Sequence, residues 1–128
     1  CGLQHAHMYF EVVAVAPPEY DAWAEAQRRP AAPPTEAMAE RGRRLFMSGS
    51  CMMCHAIQGT SANARKAPDL THVASRAWLA AGAFQNTPGD LAAWISDPQK
   101  IKPGANMPAQ PLAPEDLQAL VAYLGTLR

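Results

Sequence analysis

Cys51-Met52-Met53-Cys54-His55 places two thiols and an imidazole within a single short stretch. The order C-x-x-C-H is the pattern of a covalent c-type haem attachment site. Two cysteines three apart can each form a thioether to one porphyrin vinyl group, and the adjacent histidine is then held beneath the iron as proximal ligand. A C-x-x-C pair alone also serves as half a zinc site or as a redox dithiol, so the reading requires a second axial ligand and a helical frame. Met107 is the candidate ligand. It lies 52 residues after His55 in Lys102-Pro103-Gly104-Ala105-Asn106-Met107-Pro108, a breaker-rich run that excludes regular structure and is stiff enough to hold a thioether sulfur in place. Histidine with methionine raises the reduction potential and fills the sixth site, which suits electron transfer over O₂ binding. Met38, Met47, Met52 and Met53 are in helices or beside the motif, where packing is the expected role. An open sixth site, as in a haem sensor or a peroxidase-like enzyme, is the alternative if Met107 only packs in its loop.

These residues need elements to position them. Thr35 is expected to cap a helix from about 36 to 47, with Met38, Leu45 and Phe46 on or near its inner face. Gly42 within it implies a close crossing by another helix, since a mid-helix glycine costs roughly 1 kcal/mol relative to alanine. Residues 56–69 read as loop and 75–83 as a short helix carrying Trp78 and Leu79. Thr87-Pro88-Gly89-Asp90 is a helix start, with a capping threonine, proline at the first position and an acid near the positive end. That helix should reach about Ser96, bury Leu91, Trp94 and Ile95, and stop before Pro98. The last helix begins at Pro114-Glu115-Asp116, and Leu117, Leu120, Val121 and Leu124 repeat in it at helical spacing.

The N-terminal part has a different character. Tyr9 to Val15 is a β-branched and aromatic run that reads as one strand, ended by Pro17-Pro18. A short amphipathic helix follows at 19–28, with Tyr20, Trp23 and Gln27 on one face, and then a polyproline-type linker at 29–34. Three segments result: 1–16, 17–35 and 36–128. The 128 residues are 48% hydrophobic and carry 11 basic and 11 acidic side chains, so total charge gives no pointer to nucleic acid. Charge is nevertheless uneven: residues 1–40 hold six acids and two bases, and residues 41–128 hold five acids and nine bases. Arg65, Lys66, Lys100 and Lys102 read as solvated surface charge, with a docking rim as the alternative. His7 and His72 carry no assigned role. No apolar run approaches the roughly 18 residues of a membrane span, so any anchor is expected upstream of Cys1.

Residues 36–128 resemble a class I cytochrome c, through the helix with Gly42 and Phe46, C-x-x-C-H, Pro68-Asp69-Leu70, a tryptophan-bearing helix, Asn106-Met107-Pro108 and a last helix with Tyr123. The resemblance implies a small all-α fold around one haem c, with Gly42 and Phe46 meeting the last helix near Leu120 and Tyr123. It also implies that the Pro68 carbonyl accepts a hydrogen bond from His55 Nδ1, the outer contact that orients a ligating imidazole. Arg76 and Trp94 match positions that donate to haem propionates in similar proteins; a solvated arginine and a core tryptophan are the plain readings.

Cys1-Gly2-Leu3-Gln4-His5-Ala6-His7-Met8 followed by a strand resembles the end of the CuA motif in subunit II of haem-copper cytochrome c oxidases, some of which carry a fused cytochrome c domain. Cys1, His5 and Met8 would match copper ligands. The earlier histidine, the first bridging cysteine and the intervening acid of that motif are absent, so this stretch should not assemble CuA alone. The resemblance implies an electron relay from a quinol:cytochrome c oxidoreductase or a soluble carrier to CuA, within a terminal oxidase and among its other subunits. The place implied is the periplasmic face of a bacterial inner membrane, with copper bound only by the full-length subunit. Two alternatives stand: a free-standing carrier cytochrome, and a lipoprotein in which Cys1-Gly2 is the lipidated start.

Overall fold

A computed structural model describes residues 3–128, so Cys1 lies outside the described residues. The element order is α1 (Pro17–Gln27), α2 (Ala37–Ser48), a short hairpin of β1 (Trp78–Leu79) and β2 (Phe84–Gln85), α3 (Pro88–Ser96), α4 (Pro98–Ile101) and α5 (Pro114–Leu124), with 3₁₀ turns at His5–His7, Cys51–Met53 and Val73–Ser75.

The core forms where α2 and α5 cross. Ala39, Gly42 and Phe46 are buried along one stripe of α2, and Ala119, Leu120, Tyr123 and Leu124 along one stripe of α5. Gly42 sets the depth of contact: a Cβ there would lie 1.9 Å from the Ala119 carbonyl oxygen and 2.8 Å from Tyr123 Cβ. Only a residue without a Cβ permits that approach. Phe46 and Tyr123 then meet edge to face with centroids 6.0 Å apart, a preferred aromatic arrangement. Arg41 Nη2 donates to Asp116 Oδ1 at 2.6 Å across the rim of the same contact. Both partners are partly solvated, so the pair adds at most about 1 kcal/mol. Leu91 and Ile95 of α3 complete the cluster, together with Ile57, Val73 and Leu127.

Thr87 starts α3 as expected: its side-chain oxygen accepts from the Asp90 N–H at 3.1 Å, and its hydroxyl donates to Asp90 Oδ2 at 2.7 Å. Four expectations need correction. Thr35 does not cap α2; the N-cap residue is Glu36, without a side-chain cap bond. Met38 is 55% exposed, because the stripe defined by Ala39, Gly42 and Phe46 leaves it on the outer side. Residues 75–83 form no helix. Ala80, Ala81 and Gly82 all take positive φ, at 52°, 61° and 82°, and turn the chain back so that Trp78 pairs with Gln85 and Leu79 with Phe84. The Gly82 and Ala83 N–H groups both donate to the Leu79 carbonyl at 3.0 Å, which offsets the cost of about 1–2 kcal/mol per left-handed alanine.

The fourth correction concerns residues 9–15, which are extended but belong to no ladder. A strand needs a neighbour to accept its backbone bonds, and among the described residues only the Tyr9 N–H finds a backbone acceptor, the Ala81 carbonyl at 2.8 Å. Phe10, Val12 and Val13 stay exposed. The proline-rich stretch is more fixed than a spacer: the Ala31 N–H donates to the Gln58 carbonyl at 3.2 Å, and His72 Nε2 lies 3.1 Å from the Arg29 carbonyl oxygen. Tyr20 and Trp23 do share a face of α1, with centroids 5.7 Å apart. Both are more than half exposed.

Candidate haem-attachment site

The attachment motif begins where α2 ends. Cys51–Met53 makes one 3₁₀ turn, in which the Cys51 carbonyl accepts from the N–H groups of Cys54 at 3.2 Å and His55 at 3.0 Å. Cys51 and Cys54 are free thiols, both half-buried. Burial pushes the Cys51 thiol above its ordinary pKa, a backbone hydrogen bond opposes this, and the neighbouring Cys54 adds to the rise.

His55 is oriented by the chain that follows it. The Ala67 N–H donates to the Cys54 carbonyl at 2.9 Å and the Leu70 N–H to the Ala56 carbonyl at 2.8 Å, so residues 67–70 run beside 54–56. Pro68 sits between these two bonds, where its lack of an N–H costs nothing. Its carbonyl oxygen is 2.7 Å from His55 Nδ1. A carbonyl can only accept, so Nδ1 carries the proton and the lone pair is left on Nε2, the tautomer a metal-ligating imidazole requires. The donor set therefore suits a covalently held haem: two unpaired thiols and an imidazole with one nitrogen occupied and the other available.

A second layer locks the Pro68 carbonyl. Asp69 Oδ1 accepts from the Thr71 N–H at 2.7 Å and from the Thr71 hydroxyl, and Thr71 Oγ1 accepts from the Gln58 N–H at 2.8 Å. Arg76, exposed, donates from Nη2 to the Asp69 carbonyl at 2.6 Å. Reading the sequence for chemistry missed Asp69, Thr71 and Gln58; the Asp-x-Thr spacing of an Asx-turn was the available signal.

Met107 is half-buried and packs against the core cluster, as do Cys51, Met52, Leu70 and Trp94. Its loop is stapled by Gln99, whose Nε2 donates to the Ala105 carbonyl at 2.6 Å and whose Oε1 accepts from the Gly104 N–H at 2.9 Å. Ser50, immediately before Cys51, donates to Gln110 Oε1 at 2.8 Å. That bond ties the end of the methionine loop to the start of the cysteine motif. Nothing in the sequence pattern marks Gln99 or Gln110. Trp94 lies against Phe84 with centroids 5.4 Å apart.

Lys102 turns away from any basic rim, since its Nζ donates to the Ala80 carbonyl at 2.7 Å; Lys100 lies 3.4 Å from Asp97. His72 is neither exposed nor fully satisfied: it is buried, and its Nδ1 has no partner among the described residues. His5 and Met8 lie in the first segment, where the Met8 N–H reaches the His5 carbonyl at 3.4 Å. Among the described residues no three His, Cys, Asp or Glu side chains cluster as a metal site. No helix there is long and apolar enough to cross a membrane.

The family model for cytochrome c matches residues 39–128. The chain belongs to the cytochrome c family. Its helices and small hairpin accord with the all-α class I cytochrome c fold expected above. This cytochrome c domain and the segment before it together are similar to longer proteins. Over the whole chain, identity is 43% to the cytochrome c oxidase subunit 2 of Alkalihalophilus pseudofirmus, 30% to that of Bacillus subtilis and 32% to that of Bacillus sp. (strain PS3). The chain spans 37% of the length of each of these relatives.

Proposed function

We propose that this cytochrome c domain is the electron relay of a cytochrome c oxidase subunit II, taking electrons from an upstream donor and passing them to a CuA centre in the full-length subunit. The observation that carries the reading is the 2.7 Å contact of His55 Nδ1 with the Pro68 carbonyl, beside two free thiols at attachment spacing. Cys51 and Cys54 would hold haem c through their sulfurs, and His55 and Met107 would ligate its iron. When bound, a haem with histidine and methionine ligands supplies a one-electron couple of raised potential with no open coordination site. The residues of the chain do the rest. Pro68, locked by Asp69 and Thr71, holds the imidazole and its tautomer; the stapled loop presents the Met107 sulfur; Leu70 and Trp94 keep the surroundings apolar. Arg76 and Trp94 are the propionate donors in this reading, and Arg76 is already fixed by its bond to Asp69.

No bond is made or broken at such a domain, so any enzymatic activity belongs to the parent oxidase. The similarity along the entire chain to subunits of that name supports association with other oxidase subunits and a location on the outer face of a bacterial inner membrane. His5 and Met8, with Cys1, would then be copper ligands completed by the rest of the subunit.

The test is Met107→Ala in the haem-loaded protein. The ferric spectrum should lose its sulfur-to-iron charge-transfer band, and the iron should become high-spin and open to added cyanide or azide. An unchanged spectrum would remove Met107 from the ligand set.

A further inference from the structure

Three consecutive residues of the proline-rich linker each touch the loop that holds His55. The Arg29 carbonyl accepts from His72 Nε2 at 3.1 Å. Pro30 lies in the notch left by Gly59, where a Cβ would stand 2.8 Å from Pro30 Cβ; φ at Gly59 is +85°, a conformation that favours glycine. The Ala31 N–H donates to the Gln58 carbonyl at 3.2 Å, and Ala31 is half-buried against the core cluster. His72 gives this seat its weight. It is 8% exposed, and its Nδ1 has no partner among the described residues. The bond from Nε2 to the linker is therefore the one on which the buried ring depends. Lifting the linker would leave that imidazole unsatisfied, which is costly for a buried polar group.

From this seat a continuous series of bonds runs to the haem-attachment site. The Gln58 peptide is shared: its carbonyl faces Ala31, and its N–H donates to Thr71 Oγ1 at 2.8 Å. Thr71 donates to Asp69 Oδ1 through its N–H at 2.7 Å and through its hydroxyl. Asp69 supplies the nitrogen of the peptide whose carbonyl belongs to Pro68, and that oxygen lies 2.7 Å from His55 Nδ1. His72 directly follows Thr71, so the linker holds the series at two points.

We propose that residues 29–31 tune the haem: seated on Gln58, Gly59 and His72, they fix the bond between His55 and Pro68 and thereby its reduction potential. The inference rests on the function proposed above, in which His55 ligates the iron. Thr71 and His72 are then positioning residues that act only through His55. A carbonyl that takes more of the Nδ1 proton makes the imidazole a stronger donor, which favours ferric iron. A slackened loop returns the proton to the ring, and the ferrous state gains. Strain on the chain before Arg29 would reach the iron as a change of potential.

Potentiometric titration of the haem-loaded full-length protein tests this, with amide hydrogen exchange as a second readout. Ala31→Pro deletes the donor to Gln58, and His72→Phe deletes the donor to Arg29 while keeping an aromatic ring. Each should raise the ferrous-to-ferric ratio at fixed ambient potential by about fivefold, the lower end of ordinary coupling between sites. Each should also speed exchange over residues 56–72 while α2 and α5 keep their protection. His72→Gln, whose amide nitrogen can donate in place of Nε2, should restore the unsubstituted ratio. Thr71→Val cuts the series inside the domain, so it should raise the ratio with the linker still seated, and adding Ala31→Pro should raise it little further. Linker residues that only stabilise the fold would lower Tm and leave the ratio alone. An unchanged or lowered ratio in Ala31→Pro and His72→Phe overturns the proposal, as does a full second increase in the double variant. Should Ala31→Pro fail to fold, His72→Phe against His72→Gln decides. Absence of haem absorbance in the denatured protein would instead refute the proposed function, and the tuning with it.

Discussion

Phe46 and Phe10 are the same side chain in opposite circumstances: one is 1% exposed between α2 and α5, the other 82% exposed on an extended segment. Both stand in hydrophobic runs, so composition does not separate them. The difference is in what each element can complete by itself. A helix satisfies its own backbone and needs only one facing stripe to bury its apolar side, and α5 supplies that stripe to α2. A strand satisfies neither backbone nor side chains until other strands lie beside it. The helical part therefore closes on itself, while residues 10–15 find no such neighbour among the described residues.

Four perturbations would break or sharpen that contrast. The largest effect is expected at the helix crossing: Gly42→Val forces side-chain atoms into the Ala119 carbonyl and should cost about 3 kcal/mol or more, read as a lowered urea midpoint. Next comes an alkaline effect at Tyr123. Burial raises its pKa, with Arg43 pulling it down and Glu40 pushing it up. Below the ordinary tyrosine value of about 10 the phenol is neutral in both folded and unfolded chains. Above it the unfolded chain loses the proton first, so stability should fall as pH rises toward the folded pKa. Denaturant titrations of Tyr123→Phe should lack that alkaline decline. Thr87→Ala removes a cap within the closed region and should cost about 1 kcal/mol, visible as a small drop in Tm. The smallest effect is assigned to the open region: Phe10→Ser in the isolated 128-residue chain should change unfolding free energy by no more than about 0.5 kcal/mol. A large loss there would mean that Phe10 has a partner inside the domain.

Legibility in the sequence followed the range of the forces. The start of α3 was readable because Thr87 and Asp90 act on each other within one turn. Gly42 announced a close approach because a mid-helix glycine has few other uses, although the partner atoms on Ala119 are visible only in the fold. The cysteine-histidine motif and Pro68 could be placed in one site through spacing and resemblance. Ser50 with Gln110, and Lys102 with Ala80, could not, because each bond spans a separation that no local pattern encodes. The hairpin was missed for a different reason. Its turn depends on two alanines in left-handed conformation, and alanine suggests helix more readily than a turn of that hand. Thr35 illustrates the reverse error, a good capping residue one position too early.

Proline-rich connectors are usually treated as tethers that set an effective concentration, with encounter frequency falling as the tether lengthens. The stretch after α1 is instead stitched to the domain at Arg29 and Ala31. A tether anchored at its domain end begins, in effect, at Arg29. The stitched residues then add nothing to its reach, and cutting the stitches would act as a lengthening of the tether.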